Sequence, residues 1–166
     1  MSKGYSGLFT GTKGNPVPGN ISFMLTNDIF HRYIGRRSDV DSGGYFDIVA
    51  HGSSKTIEIN HNGKTVEIDH RVAAKLFRNN SKIPNKPLRL LSCSTGMIDH
   101  GFAQGLADRL GVPVKAPSDF LWANPNGTYF VAGYKENRNG EKEPDKTKPG
   151  KFIVFYPHKR RGKNDL

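Results

Sequence analysis

The sequence predicts a single α/β domain, with a central mixed or parallel sheet, flanking helices and β-hairpins. Three observations predict it. The 166 residues are enough for one hydrophobic core and too few for two comfortable ones. The hydrophobic fraction of 35% is low for a globular chain but above that of a wholly disordered one, and the 10% of aromatic residues argue for a packed core. Between residues 45 and 117, strand-like apolar runs alternate with helical segments, as in a sheet joined by right-handed crossovers.

The elements have their clearest boundaries after residue 44. Residues 1–44 are rich in Gly, Asn and Pro and are predicted to be loop-rich, with 29–34 as the best-formed apolar patch. Residues 45–132 form the predicted α/β core. Apolar periodicity and turn residues divide this core into strands at 45–50, 56–60, 64–68, 88–92, 112–116, 121–123 and 128–132 and helices at 70–78 and 101–110.

Both predicted helices carry signals at their ends. Asp69 is suited to cap the first helix, in which Val72, Leu76 and Phe77 fall on one face. Gly111 is a typical stop for the second helix.

Beyond the core, the chain becomes strongly charged. Residues 133–150 are nearly devoid of apolar side chains and are predicted to be an exposed charged loop. A final strand is expected at 151–156, and a basic tail at 157–166.

Composition excludes several classes of protein. The single cysteine, Cys93, excludes an internal disulfide framework and a Cys-rich zinc module. No segment approaches the roughly 18 to 20 apolar residues of a membrane span, and the first residues lack the apolar region of a signal peptide. The net charge of +10 favours attraction to nucleic acid, acidic proteins or anionic membranes.

The sharpest chemical pattern joins His51 and Cys93. Each residue follows a predicted strand, and the carboxyl ends of parallel strands form the ligand-binding edge of an α/β sheet. A thiol nucleophile and a histidine base would then share one edge, with the backbone N–H groups of Gly52 and Cys93 facing a developing oxyanion. The alternative is structural, because a lone Cys at a strand end is commonly packing and a His-Gly pair is commonly a turn.

Five further residues are candidates for the same site. Ser94 and Trp122 are candidate substrate contacts, Asp119 is a candidate to orient a histidine or select a basic group, and His100 with Asp99 is a possible auxiliary pair. Each also has an ordinary interpretation, as a turn former, a packing residue or an exposed residue before a helix. The sequence contains no Walker loop, no His-Glu-x-x-His and no dinucleotide-binding glycine pattern, so no cofactor and no metal are expected.

Two short motifs resemble the core of the caspase-like (clan CD) cysteine peptidases, including their CHAT-type members. They are FDIVAHG at 46–52 and LRLLSCSTG at 88–96, followed by a helix and VPV at 112–114. The resemblance covers roughly residues 45–117. It implies a caspase-like core in which His51 and Cys93 form a catalytic dyad.

A longer set of motifs resembles the C-terminal toxin domains of bacterial polymorphic toxins of the Rhs, contact-dependent-inhibition and LXG types. The motifs are GYFDIVAHG at 44–52, DHR at 69–71, LLSCSTG at 90–96, FAQGLA at 102–107, LGVPVKAP at 110–117 and WANPNG at 122–127. This resemblance spans roughly residues 44–156. It implies an interbacterial effector that is secreted as the C-terminal part of a larger protein, delivered into a target bacterial cell and checked by a cognate immunity protein.

Two enzymatic hypotheses follow from these patterns. The first is a cysteine-dependent, peptidase-like hydrolase with Cys93 as nucleophile and His51 as base. The alternative is a nuclease toxin, an RNase or DNase, that holds nucleic acid through its basic surface and uses His51 and His100 as acid and base. A third, non-enzymatic interpretation treats the fold as a binding module. The macromolecular target in the recipient cell is not identified by the sequence.

Overall fold

The computed structural model describes residues 10–12, 15–16 and 19–158. The predicted basic tail therefore lies outside the described residues from residue 159 onward. In chain order the elements are β1 Thr10–Thr12, β2 Asn15–Pro16, β3 Asn20–Ser22, α1 Ile29–Ile34, a 3-10 turn Ser42–Gly44, β4 Phe46–Val49, β5 Thr56–His61, β6 Lys64–Asp69, α2 His70–Arg78, β7 Leu88–Leu91, α3 Phe102–Leu110, β8 Val114–Pro117, β9 Phe120–Ala123, β10 Tyr129–Glu136, β11 Lys142–Pro149 and β12 Phe152–Phe155.

The centre of the domain is a five-stranded mixed sheet in the order β12-β8-β7-β4-β3. Strands β3, β4, β7 and β8 are mutually parallel, and β12 joins β8 antiparallel at the edge. The prediction of an α/β domain with a central mixed sheet, helices and hairpins is therefore confirmed. Because β4 and β7 are parallel neighbours in the sheet, they present their carboxyl ends side by side, with Val49 opposite Leu91.

The two longer helices lie where the sequence predicts them. Asp69 caps α2, since its Oδ1 accepts hydrogen bonds from the backbone N–H groups of Arg71 and Val72, each at 3.0 Å. Gly111 ends α3 in the left-handed conformation, with φ 71°. The predicted apolar face of α2 is wrong in one detail: Val72 is 51% exposed, and Ala73 and Ala74 are buried with Phe77. Small side chains allow close approach to α3, which outweighs the hydrophobicity of valine.

The central sheet carries a different layer on each face. Alternation along a strand places Ile48 and Val49 on opposite faces. Ile48 belongs to the larger cluster, which includes side chains of α2, α3 and the β5–β6 hairpin. Val49 belongs to a smaller cluster with Ile34 of α1, Leu121 of β9 and Val131 of β10. The smaller cluster is the platform on which the candidate site is built.

Residues 133–150 are not a loop. Strand β10 continues to Glu136, and β11 pairs with it antiparallel, so that β9, β10 and β11 form a second, three-stranded sheet. Backbone hydrogen bonds hold this pairing, and a strand whose side chains mostly face solvent needs no apolar alternation. The turn between the strands is closed by Asn137 N–H donating to Glu141 O at 2.9 Å.

No helix within residues 19–158 is long and apolar enough to cross a membrane.

Candidate active site

The structure brings His51 and Cys93 to one pocket. The pocket has a volume of about 370 Å³ and opens on the face of the sheet covered by α1 and β9. Its lining residues are Ile29, Phe30, Tyr33, Ala50, His51, Cys93, Phe120, Leu121, Trp122, Ala123 and Lys142. The two residues that the sequence pairs are thus walls of the same small cavity, although they lie 42 positions apart in the chain.

His51 has a carboxylate partner that sequence reasoning missed. Its Nε2 lies 2.6 Å from Oδ2 of Asp28, and both side chains are only partly exposed, at 44% and 26%. The hydrogen bond that the Asp28 carboxylate accepts from His51 raises the pKa of His51, against the opposing effect of burial. Because Asp28 holds Nε2, Nδ1 is the ring nitrogen left to accept a proton from another group. The phenyl ring of Phe30 packs beside the imidazole, with the ring centroids 6.1 Å apart.

Asp28 is placed by the helix that it begins. It is the N-cap of α1, and its Oδ1 accepts a hydrogen bond from the backbone N–H of His31 at 3.2 Å. The second oxygen, Oδ2, therefore points away from the helix to His51. An acidic residue just before an apolar run is a known sign of a helix cap, so this signal was present in the sequence. The contact of Asp28 with His51 could not be predicted from the sequence, because it depends on how α1 packs on the sheet.

Cys93 is a partly buried thiol held by the backbone of β9. Its Sγ accepts a hydrogen bond from Leu121 N–H at 3.4 Å and lies 3.8 Å from Leu121 O. Burial raises the pKa of the Cys93 thiol, while the Leu121 hydrogen bond and the charge of Lys142 oppose this rise. The resting group is therefore a neutral thiol at neutral pH. A base must remove its proton before or during any nucleophilic attack.

The loop that carries Cys93 is tightly packed and conformationally unusual. Ser94 adopts a left-handed backbone with φ 58°, which few non-glycine residues do. Its backbone N–H donates to Asp119 O at 2.9 Å, and its buried Oγ has no hydrogen-bond partner among the described residues. Such local strain is typical of functional sites, where surrounding packing holds it in place.

Gly52 packs closely against the loop that carries Cys93. A Cβ at this position would lie 2.8 Å from Cγ2 of Thr95 and 3.1 Å from the carbonyl oxygen of Cys93. Only glycine lets the segment after β4 approach the segment after β7 so closely. Gly52 and Ser94 are not lining residues of the pocket, so the structure does not bring their backbone groups into it.

Of the other predicted site residues, Trp122 lines the pocket and Asp119 does not. Trp122 lines the pocket, donates from Nε1 to Ala132 O at 3.0 Å and stacks on Phe120 with centroids 5.7 Å apart. Asp119 lines a neighbouring cavity instead, where its Oδ2 accepts a hydrogen bond from Ser118 Oγ. Asp28, and not Asp119, is the carboxylate that contacts the histidine.

Asp99 and His100 lie outside the pocket. Both are exposed residues in the turn between β7 and α3, and neither lines the cavity that holds His51 and Cys93. The auxiliary role predicted for this pair is therefore not supported by their position.

The remaining pocket wall combines aromatic rings with one cation. Nζ of Lys142 lies 5.1 Å from the ring centroid of Phe120 and 4.6 Å from that of Tyr134. Cation–π contacts of this kind hold a lysine over the pocket. Residues 19–158 contain no cluster of three His, Cys, Asp or Glu side chains that could hold a metal ion.

The fold and the site define a small mixed α/β domain with an Asp-His-Cys cluster beside the carboxyl edge of its parallel strands. The family described as "Domain of unknown function (DUF8616)" matches residues 19–131, more than half of the chain, and the chain therefore belongs to this family. The matched segment contains Asp28, His51 and Cys93. No curated protein matches the sequence.

Proposed function

We propose that the domain is a cysteine-dependent hydrolase that acts on acyl groups. The observation that carries this proposal is that Cys93 and His51 line one pocket and that His51 is hydrogen-bonded to Asp28. A nucleophile, a base and a carboxylate that orients the base are the three parts of a triad for nucleophilic acyl transfer.

The chemistry assigns one role to each residue. His51 Nδ1 accepts the thiol proton as Cys93 Sγ attacks the carbonyl carbon, and the proton passes to the leaving group when the acyl–enzyme thioester forms. Water then attacks the thioester and restores the thiol. Asp28 holds the imidazole in one orientation and stabilises the imidazolium that forms between these steps.

The shape of the pocket favours an apolar substrate group. Aromatic and aliphatic side chains, among them Phe30, Leu121 and Trp122, form most of its wall. Such a surface gains free energy by removing apolar area from water. An acyl chain or an apolar amino-acid side chain next to the scissile bond fits this chemistry.

The biological role we propose is that of an interbacterial toxin domain. The motif resemblance to polymorphic toxin domains supports it, and it implies secretion within a larger effector, delivery into a target bacterium and a cognate immunity protein. The alternative, a nuclease with His51 and His100 as acid and base, has less support, because His100 does not line the pocket of His51.

The test uses growth and catalysis as separate readouts. The chain is expressed from an inducible promoter in a bacterial cytoplasm, and the purified protein is assayed with p-nitrophenyl butyrate. Cys93→Ala and His51→Gln are each expected to abolish ester hydrolysis and growth inhibition while the melting temperature is retained. His61→Gln changes an exposed histidine on β5 and is the matched control.

Each outcome decides one part of the proposal. Full toxicity of Cys93→Ala would exclude the cysteine mechanism. If cells that express the unmodified chain grow normally and ester hydrolysis still depends on Cys93, the toxin role is contradicted and the hydrolase activity is supported. Cleavage of total RNA or plasmid by purified Cys93→Ala protein would establish the nuclease alternative.

A further inference from the structure

A second pocket lies on the same face of the central sheet, toward the amino ends of its strands. Its volume is about 690 Å³, within the range of sites that enclose small ligands. The buried side chains of Val49 and Leu91 occupy the strand positions between this pocket and the segments that carry His51 and Cys93. Neither His51 nor Cys93 lines it, so its chemistry is separate from that of the proposed active site.

A row of charged side chains on adjacent strands lies at the base of this pocket, where Arg89 forms the floor and Asp47 is buried against Arg89 without lining the pocket. Asp47, Arg89 and Lys115 are paired in register across β4, β7 and β8, so they project from the same face. Asp47 is completely buried, and both of its oxygens accept hydrogen bonds from Arg89, at 2.8 and 2.7 Å. Arg37 Nη2 donates to the same carboxylate at 2.7 Å.

The buried arginines are already satisfied. Arg89 Nη1 donates to Asp39 Oδ2 at 3.1 Å and to the Tyr129 hydroxyl at 2.8 Å. The hydroxyl of Tyr129 in turn donates to Asp39. These contacts lower the pKa of Asp39 despite its partial burial, so it is ionised at neutral pH. The two guanidinium groups, Arg37 and Arg89, thus neutralise the two carboxylates, and the floor is a rigid polar surface with little net charge.

Three other cations give the pocket its positive charge. Arg36, Lys115 and Lys151 line it, and none of them forms a salt bridge with a carboxylate of residues 19–158. Nζ of Lys115 lies 4.8 Å from the ring centroid of Tyr45, a contact that positions the ammonium group. The hydroxyl groups of Ser38 and Ser42 line the same pocket. Cations and hydroxyls without an acidic partner are the groups that bind phosphate oxygens.

The pocket wall beside Arg36 is fixed by two contacts with the turn between β9 and β10. Arg36 Nη1 donates to Pro125 O at 2.6 Å, which ties the segment after α1 to the turn between β9 and β10. Gly127 in that turn has φ 94°, and a Cβ there would lie 2.5 Å from the backbone carbon and oxygen of Arg36. Glycine therefore allows a close contact that closes one side of the pocket.

We propose that this pocket binds the phosphate group of a small phosphorylated ligand, such as a nucleoside monophosphate. Arg36, Lys115 and Lys151 contact the phosphate oxygens, and Arg89, whose charge is neutralised by the buried Asp47, gives the site a rigid floor. A nucleic acid strand offers the same chemistry through its phosphodiester groups, and the experiment separates the two sources. The concave shape favours the small ligand, because a flat protein or duplex surface would not reach the row on the sheet.

The experiment is isothermal titration of the purified chain at low salt. The probes are adenosine 5′-monophosphate, adenosine, and a single-stranded ribo-oligonucleotide with hydroxyl groups at both ends. The test variant carries Lys115→Gln and Lys151→Gln, and Lys151→Gln alone covers the case in which the double variant does not fold. The matched control, Lys64→Gln with Lys75→Gln, loses the same charge from exposed positions on the hairpin and α2, which pack on the opposite face of the sheet.

The expected result is saturable binding of the monophosphate, with the dissociation constant raised about tenfold or more in the test variant and unchanged in the control. If the oligonucleotide binds and the monophosphate does not, and if the test variant loses affinity for the oligonucleotide to the same extent, the pocket is a phosphate site. Its ligand is then a nucleic acid strand. The proposal is overturned if adenosine binds as tightly as its monophosphate, if the control loses as much affinity as the test variant, or if no probe binds. Cys93→Ala protein is expected to bind like the unmodified chain, so this result is independent of the proposed hydrolase.

Discussion

Oδ2 of Asp28 lies 2.6 Å from Nε2 of His51, across 23 positions of the chain. One carboxylate therefore begins helix α1 through Oδ1 and orients a histidine through Oδ2. This double use joins the folding of α1 to the geometry of the proposed active site. It also allows the two roles to be separated by substitution, because asparagine keeps the oxygen that caps the helix.

Asp28→Asn is expected to reduce kcat/KM for p-nitrophenyl butyrate by roughly a hundredfold or more, with little change in melting temperature. Asparagine is as good an N-cap as aspartate, but it cannot stabilise the imidazolium of His51. The His51 pKa, followed by NMR, should fall at the same time because its main raising contact is lost. A variant with unchanged kcat/KM would mean that Asp28 serves the helix alone.

The pH dependence of hydrolysis should reflect the raised pKa of His51. The base must be neutral to accept the Cys93 proton, so kcat/KM should rise with pH through an inflection above the usual histidine value of about 6.5. In Asp28→Asn the inflection should move to lower pH. A pH profile that falls through this range would require the protonated imidazole and would contradict the assignment of His51 as base.

Lys142→Gln is expected to raise the pKa of the Cys93 thiol further. The ammonium group of Lys142 lowers this pKa from across the pocket, while burial raises it. The measurement is the rate of iodoacetamide alkylation as a function of pH, whose midpoint should move upward in the variant. Lys146→Gln on the same strand is the control, since Lys146 stacks over Phe130 instead. If the alkylation midpoints of the two variants are equal, Lys142 does not influence the pKa of Cys93.

Much of the core could be predicted from the sequence because its signals are local. Caps such as Asp69 and Gly111 and the apolar runs of β4 and β7 act within a few residues, and the structure confirms them. The fold class could be read from their order. The pairing of β10 with β11 could not, because charged, exposed strands carry no apolar alternation and are joined by backbone hydrogen bonds.

The candidate site was predictable only where chain order places residues at the sheet edge. His51 and Cys93 follow neighbouring parallel strands, so the rule about carboxyl ends brings them to one edge. Asp28 follows β3 but reaches His51 through the packing of α1, which no local pattern encodes. Asp119, a candidate to orient a histidine or to select a basic group, precedes β9 and lines another cavity, and this position also depends on tertiary packing.

His31 should make the fold sensitive to mild acid. It is buried, its Nδ1 lies 2.8 Å from Ser22 Oγ, and burial lowers its pKa to about 4. The unfolded chain binds a proton near pH 6.5 and the folded chain does not, so stability falls as the pH decreases from about 6.5 to about 4. The loss attributable to this residue is about 2–3 kcal/mol at pH 4.5.

The measurement for His31 compares urea unfolding of the unmodified chain and His31→Gln at pH 7 and pH 4.5. The raised pKa of His51 acts in the opposite direction, contributing stability at low pH that is lost as the pH rises through its folded value. The contribution of His51 is the same in both proteins, so the difference between their free energies of unfolding isolates the effect of His31. An equal loss of stability on acidification in both would contradict the prediction.

Asp47→Asn should be among the most destabilising single changes in the chain. Its buried carboxylate accepts hydrogen bonds from Arg37 and Arg89, and a neutral amide would leave these two buried guanidinium groups with the single carboxylate of Asp39 between them. Removing one partner of a buried ion pair costs about 3–5 kcal/mol. Asp41→Asn is the matched control: Asp41 pairs with Lys86 at 3.1 Å on the surface, where such a pair contributes about 1 kcal/mol at most. Equilibrium unfolding in urea measures both, and a similar small loss in the two variants would show that Asp47 does not hold the charged floor of the second pocket together.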